Sequence, residues 1–223
     1  MSLPDPVNLT NCDREPIHIP GSIQPHGCMV VCSPGGGTVL RHSENAAEML
    51  GLSEPLNGAS LESLFDEACV EALRTAEAIA GDVARPALLF DLPVSPERRF
   101  DVSVHRKGAA VLIEFEPAMK SNQPLRLTRD MVGRVGDIED EGTLMDRAAH
   151  LVRSALGYDR VMIYRFEPDG SGKVISEVKR SDLESFLGQY FPATDIPQQA
   201  RALYLDNTIR IISDVNFQPV PIV

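Results

Sequence analysis

No apolar run in this chain approaches the roughly 20 residues that a bilayer-spanning helix requires, so no such span is expected. Positive charge is also in short supply. With 32 acidic side chains against 21 basic ones and a formal charge of −11, a broad electropositive surface for nucleic acid or anionic lipid is not expected. Cysteine is scarce. Cys12, Cys28, Cys32 and Cys69 are too few and too unevenly spaced for the disulfide framework of a secreted domain, and no basic segment followed by an apolar one opens the chain. Reduced thiols in a soluble, cytoplasmic protein are the expectation. Tryptophan is absent and the rings are limited to 4 tyrosines and 8 phenylalanines, so any clustering of them stands out.

What is present is an ordinary globular composition, 43% apolar and 24% charged, without low-complexity tracts. A length of 223 residues allows two modest domains, each with its own core. Residues 1–120 carry 17 acids and 9 bases, residues 121–223 carry 15 and 12, so an anionic ligand is better tolerated in the second half. After a proline-rich arm, "CMVVCS" (28–33) and "TVLRHS" (38–43) read as strands joined by "PGGG". "SENAAEMLG" reads as a short helix with Ser43 as N-cap and Gly51 as stop, and "SLESLF" as a further helical turn. "DEACVEALRTAEAIAG" (66–81) places Val70, Leu73, Ala76 and Ala80 on one stripe. Three strands follow, over 87–92, 99–106 and 109–116, the last two linked by "KG". This order predicts an α+β domain with an antiparallel sheet, closing near Pro117.

The polar stretch "MKSNQPL" marks a boundary, after which "TRDMVGRVGDIED" reads as a helix broken by glycines. "GTLMDRAAHLVRSALG" (142–157) is a firm helix with Leu144, Ala148, Leu151, Val152 and Ala155 on one face. "DRVMIYRF" and "KVISEVKR" read as a hairpin, Pro197 as the first position of a helix running to about Asn207, and "TIRIISDV" (208–215) as a strand. So few elements leave apolar faces uncovered, and the second domain is expected to be incomplete, completed by further chain or by a partner.

Two constellations could carry chemistry. Cys12 lies outside any predicted sheet, flanked by Asp13, Arg14 and Glu15 on an arm stiffened by Pro16, Pro20 and Pro25. Such an arm suits a nucleophile that reaches a ligand held in another domain. A structural zinc site at His26, Cys28 and Cys32 is disfavoured, because Cys28 and Cys32 share a strand face with Val30 and no second Cys/His pair follows. The second constellation is "YFPATDIP" with "RALYLDNTIR". Asp195 precedes an Ile-Pro pair that disfavours helix at Ile196, and Tyr190, Phe191 and Tyr204 stand around it. Taken alone, Asp195 reads as a residue that helps initiate the following helix. Arg210 lies between Ile209 and Ile211 and, beside an aromatic pocket, suits a carboxylate clamp.

"CDREPIHIPGSIQPHG", "DRVMIYRF", "GKVISEVKR", "FPATDIPQQARALY" and "IRIISDV" together resemble the photosensory region of bacteriophytochromes, from about residue 11 to the last residue. The resemblance implies an arm over 1–26, a PAS domain over 27–117, a linker over 118–130 and an incomplete GAF domain over 131–223, with the arm knotted through the GAF part and Ile23 at the centre of the knot. It implies biliverdin, a linear tetrapyrrole, attached to Cys12 by a thioether at a vinyl-derived carbon. Asp195 matches the aspartate whose carbonyl meets the pyrrole N–H groups, and Arg210 a propionate ligand. Tyr164, Phe191 and Tyr204 match rings around the photoactive end of the pigment, while Met162, Phe186, Ile196 and Pro197 match its walls.

The implied function is a red/far-red photoreceptor fragment that signals by photoisomerisation. The fragment itself would not be an enzyme, within a parent that is a light-regulated sensor histidine kinase. Its partners would be the chromophore, the remaining GAF, PHY and output modules or a complementing chain, and a second copy in a homodimer. Two other readings stay open: a non-photochemical PAS-GAF sensor of a small ligand, or one half of a split near-infrared fluorescent reporter. A thiol enzyme built on Cys12 with His18 or His26 lacks a recognisable oxyanion hole.

Overall fold

The computed structural model describes residues 17, 19, 21–53, 55–82, 85–118, 124–207 and 209–223. They form two compact units, one over 124–201 and the other joining the residues up to 118 with 202–223.

The larger unit opens with a two-residue strand, β1 (Ser22–Ile23), followed by β2 (Cys28–Cys32) and β3 (Val39–His42). Three helices come next: α1 (Ala46–Leu50), α2 (Leu61–Leu64) and α3 (Glu67–Ile79). The long strands β4 (Ala87–Ser95), β5 (Arg98–Lys107) and β6 (Ala110–Pro117) then complete a five-stranded antiparallel sheet in the order β3-β2-β6-β5-β4. Period-2 alternation sends Cys28, Val30, Cys32, Phe100, Val102, Val104, Val111, Ile113 and Phe115 to one face, all at or below 2% exposed. The stripe of α3 expected from its spacing covers this core through Val70, Leu73 and Ala76, with Cys69 beside them. Phe115 is the hub, edge-on to Phe100 at 5.9 Å and tilted against Phe65 at 6.0 Å. Burying one such side chain contributes roughly 1.5–3 kcal/mol. The "KG" turn forms as expected, with Gly108 at φ +61°.

Ser43 does not cap α1. Its N–H donates to the Met29 carbonyl at 2.9 Å and its Oγ accepts from the Met29 N–H at 3.0 Å, so it belongs to the end of the sheet, and Asn45 takes the N-cap position. Gly51 does stop that helix, at φ +74°.

The smaller unit begins with α4 (Pro124–Val135), which runs through Gly133 unbroken, since a single internal glycine weakens a helix by only about 1 kcal/mol. Helix α5 (Glu141–Leu156) starts on the Asp140 carboxylate, which accepts from the Thr143 N–H at 2.8 Å, and ends on left-handed Gly157. Ala149 is buried, and Ala148, Leu151, Val152 and Ala155 of the expected stripe are half-buried beside it, while Leu144 at the helix start is 36% exposed. The hairpin β7 (Arg160–Phe166) and β8 (Gly172–Lys179) is joined by a two-residue strand the sequence did not announce, β9 (Tyr190–Phe191), giving the order β7-β8-β9. Helix α6 (Gln198–Asp206) follows Pro197 as expected.

Residues 209–215 form no strand, contrary to their alternation, and residue 208 lies outside the described residues. The polar groups of this segment are engaged by a side chain instead: Gln24 donates to the Ile211 carbonyl and accepts from the Ser213 N–H at 2.9 Å. Ile209, Ile212 and Val215 stay 76%, 73% and 84% exposed. A last short strand, β10 (Val220–Pro221), pairs antiparallel with β1 in the larger unit, with Ile23 opposite Val220.

Candidate functional site: an aromatic row on the smaller sheet

Ser176 marks which face of the smaller sheet meets a helix, because its hydroxyl donates to the Asp146 carboxylate of α5 at 2.6 Å. Ile163 is its cross-strand partner. The alternation of β7 therefore sends Met162, Tyr164 and Phe166 to the opposite face. There the Tyr164 ring meets Phe166 edge-on at 5.3 Å and Phe191 at 6.1 Å, and Phe191 meets Phe186 at 6.2 Å. Such pairs contribute about 0.5–1.5 kcal/mol each beyond the area they bury. Gly172 lies between Phe166 and Phe191 in the ladder, and any Cβ at that position would overlap the Tyr164 ring. The missing side chain is what lets the row close.

An arginine stands at each end of the row. The Arg160 guanidinium lies 3.9 Å from the centre of the Phe186 ring, and Arg201 lies 5.9 Å from that of Phe166. Arg160 is tied down by Glu177, whose side chain is only 2% exposed; the two approach to 3.4 Å. The Glu177 carboxylate also accepts from the Ser185 hydroxyl at 2.5 Å and from the Phe186 N–H at 3.1 Å. Burial pushes this carboxyl up, but the hydrogen bonds from Ser185 and Phe186 and the charge of Arg160 outweigh it and hold Glu177 below the usual range.

Beside the row, residues 193–195 form a turn in which the Asp195 N–H donates to the Pro192 carbonyl at 3.1 Å. Asp195 is exposed, while Ile196 and Pro197 are half-buried. Burial raises the Tyr164 phenol, the Asp195 carboxylate raises it further, and the Arg201 charge acts in the opposite sense. Met162 and Phe166 remain 41% and 42% exposed, so the face presents open apolar surface next to an exposed acid.

Of the residues marked in the sequence, Met162, Tyr164, Phe186, Phe191, Asp195, Ile196 and Pro197 fall in this unit. Tyr204 and Arg210 fall in the other, where the Arg210 guanidinium lies 5.4 Å from the Tyr204 ring centre. Ile23 sits in β1, and Cys12 and His18 lie outside the described residues. Phe166, Gly172, Glu177, Arg160 and Arg201 were missed; for Phe166 alone the alternation of β7 was a usable signal. Cys28 and Cys32 are core residues, as their shared face implied, with burial pushing both thiols up to about 12. Among the described residues no group of three His, Cys, Asp or Glu side chains could hold a metal ion, and no helix is long and apolar enough to cross a membrane. A groove of about 730 Å³ between α2 and α3, lined by Glu62, Phe65, Glu71 and Arg74, contains none of the marked residues.

Residues 12–118 match the PAS fold family. The chain is 38% identical over 222 residues to the bacteriophytochrome of Pseudomonas aeruginosa and 36% identical over 230 residues to cyanobacterial phytochrome B of a Nostoc species, covering 96% and 100% of this chain. It spans only 29% and 31% of the length of those relatives. Among solved structures it is similar to the chromophore-binding domain of an unusual bacteriophytochrome from R. palustris, at TM-score 0.80 and 37% identity, covering 95% of this chain and 70% of that one. The wild-type chromophore-binding domain of a Stigmatella aurantiaca phytochrome is as similar, at TM-score 0.80 and 36% identity over 96% of this chain and 73% of that one. The chain thus belongs to the phytochrome family, its residues corresponding to the photosensory region of bacteriophytochromes.

Proposed function

We propose that this chain is the bilin-binding photosensory fragment of a red/far-red light receptor, with Cys12 as the attachment point for biliverdin. The observation that carries the reading is the aromatic row, Phe166, Tyr164, Phe191 and Phe186, standing beside the Asp195 turn in a chain of this family. Bound there, the pigment would supply light absorption and a double bond that isomerises.

The residues do the rest. Addition of the Cys12 thiol across a vinyl group would form a C–S bond at the expense of the C=C π bond, with the thiol proton going to the neighbouring carbon, so no oxidant or reductant would be needed. The Asp195 carbonyl would accept from pyrrole N–H groups, and its carboxylate would favour the protonated, cationic pigment. The rings of Tyr164, Phe186 and Phe191, with Met162, Ile196 and Pro197, would wall the rotating end. Arg210 would hold a propionate through its planar fork.

In this reading the arm is threaded as a knot about Ile23. Support comes from the pairing of Ser22 and Ile23 with Pro221 and Val220, and from the bonds of Gln24 to Ile211 and Ser213. The non-enzymatic fragment would report to PHY and kinase modules of a cytoplasmic, dimeric parent.

Incubation of the purified chain with biliverdin, followed by absorption spectra before and after red light, is the test. A far-red band and a bilin-sized mass gain are expected, with the mass gain abolished by Cys12→Ser. Neither band nor mass gain, or attachment to another thiol, would overturn the reading.

A further inference from the structure

An arginine near the start of a surface helix ordinarily keeps its head in water. Arg201 does not. Its Nη1 donates to the Gly170 carbonyl at 2.9 Å, and its guanidinium leans over Phe166. Its Nε is buried without a hydrogen-bond partner. Gly170 is at φ +83°, and a Cβ there would come within 2.7 Å of Arg201 Nη1 and 3.3 Å of the Ala193 side chain, so the hairpin turn lies close to both. The backbone ties run the same way, with the Arg201 N–H donating to the Pro197 carbonyl at 3.0 Å and the Asp195 N–H to Pro192 at 3.1 Å. One side chain therefore touches the β7–β8 turn while standing on the helix that continues the Pro192–Pro197 loop.

We propose that Arg201 is a positioning residue that clamps the hairpin turn at Gly170 to the Pro192–Pro197 loop and so fixes where the Asp195 carboxylate stands relative to the Tyr164 phenol. Its positive charge and the negative charge of Asp195 act on that phenol in opposite senses, so both stand within electrostatic reach of it. The geometry favours arginine over lysine. A single ammonium can reach the Gly170 carbonyl but has no planar fork to extend over the Phe166 ring at the same time. The proposal deepens the bilin-binding reading and rests on it only for the second arm of its test.

In the first arm, amide hydrogen exchange is followed residue by residue in the full chain without pigment. Arg201→Gln should speed exchange at Asp195 and Gly170 about tenfold, equivalent to about 1.4 kcal/mol, and leave the β7–β8 ladder amides unchanged. Arg201→Lys should restore part of the protection. Unchanged exchange at Asp195 would overturn the clamp, and so would a uniform acceleration over residues 124–201, which would make Arg201 structural only. In the second arm, the biliverdin-loaded protein is titrated with alkali, and Arg201→Gln should shift the pH at which the far-red band bleaches. An unshifted midpoint would sever Arg201 from the Asp195 site. If the unaltered chain takes up no pigment, the function reading fails while the exchange data still decide the clamp.

Discussion

The Gln24 side-chain oxygen accepts a hydrogen bond from the Ser213 backbone N–H at 2.9 Å, joining positions 189 residues apart. The same amide group donates to the Ile211 carbonyl, and the Ser213 hydroxyl lies 3.0 Å from His26 Nδ1. Backbone groups that would otherwise look for a ladder partner are engaged by one glutamine. This explains how a segment that alternates like a strand holds its place without being one.

Gln24→Ala should therefore cost about 1–2 kcal/mol, the net worth of the three solvent-exposed hydrogen bonds it removes. The loss should be local. Hydrogen exchange at Ser213 should accelerate while the amides of β5 and β6 stay protected, and equal acceleration throughout the larger unit would show that Gln24 has no special hold on the segment.

Gly172→Ala addresses the row itself. The added methyl has nowhere to go but into the Tyr164 ring, so that ring must swing away or the strands must part. Overpacking of this kind costs roughly 1–3 kcal/mol. Thermal unfolding should show the loss, and with no tryptophan in the chain the emission comes from its 4 tyrosines, Tyr164 among them. A melting temperature equal to that of the unaltered chain would mean the row is loosely held.

Much of this was legible in the sequence, and the reasons are physical. Strands β5 and β6 alternate over eight or more residues between clear turns, and one buried face imposes that pattern. The strand β9 is two residues long and leaves no period to read. Residues 209–215 carry the period without the partner, because alternation reports which side chains are alike and not whether a second strand is near. In the site, Tyr164, Phe186, Phe191 and Asp195 were marked by motif. Glu177, Gly172 and Arg201 matter through distances that only folding creates, and a glycine needed for a ring's clearance looks like any other glycine.

The thiols offer a direct check on the proposed attachment point. Burial raises Cys28 and Cys32 to about 12 and Cys69 to about 11, so at pH 8 none of the three presents thiolate. Native-state alkylation at that pH should label Cys12 alone, read by peptide mass mapping, and rapid labelling of any core thiol would contradict the burial. The sign for stability follows from the same shift. A thiol whose folded value is raised keeps its proton in the fold after the unfolded chain has lost it, so stability is full below about pH 8.5 and declines as pH climbs toward 12.

Glu177 should govern the acid side of the smaller unit. Its carboxyl is held below the usual range in the fold, so the unfolded chain takes up its proton first as pH falls. The stabilisation is present above the ordinary carboxylate range near pH 4.3 and is lost as pH drops through the folded value. Glu177→Gln removes the charge while keeping a group that can accept from Ser185 and Phe186, so it isolates the ionic part, and a cost of about 2 kcal/mol at neutral pH is expected. In acid the variant and the unaltered chain should converge. The consequence for the row is specific, because Glu177 holds both Arg160 and the backbone of Phe186: freed from the carboxylate, the Phe186 ring should lose its seat under the guanidinium. Fluorine NMR of fluorophenylalanine-labelled protein can follow that resonance across the pH range. A Phe186 signal that ignores both the substitution and the acid transition would show that the carboxylate stabilises the loop without setting the ring.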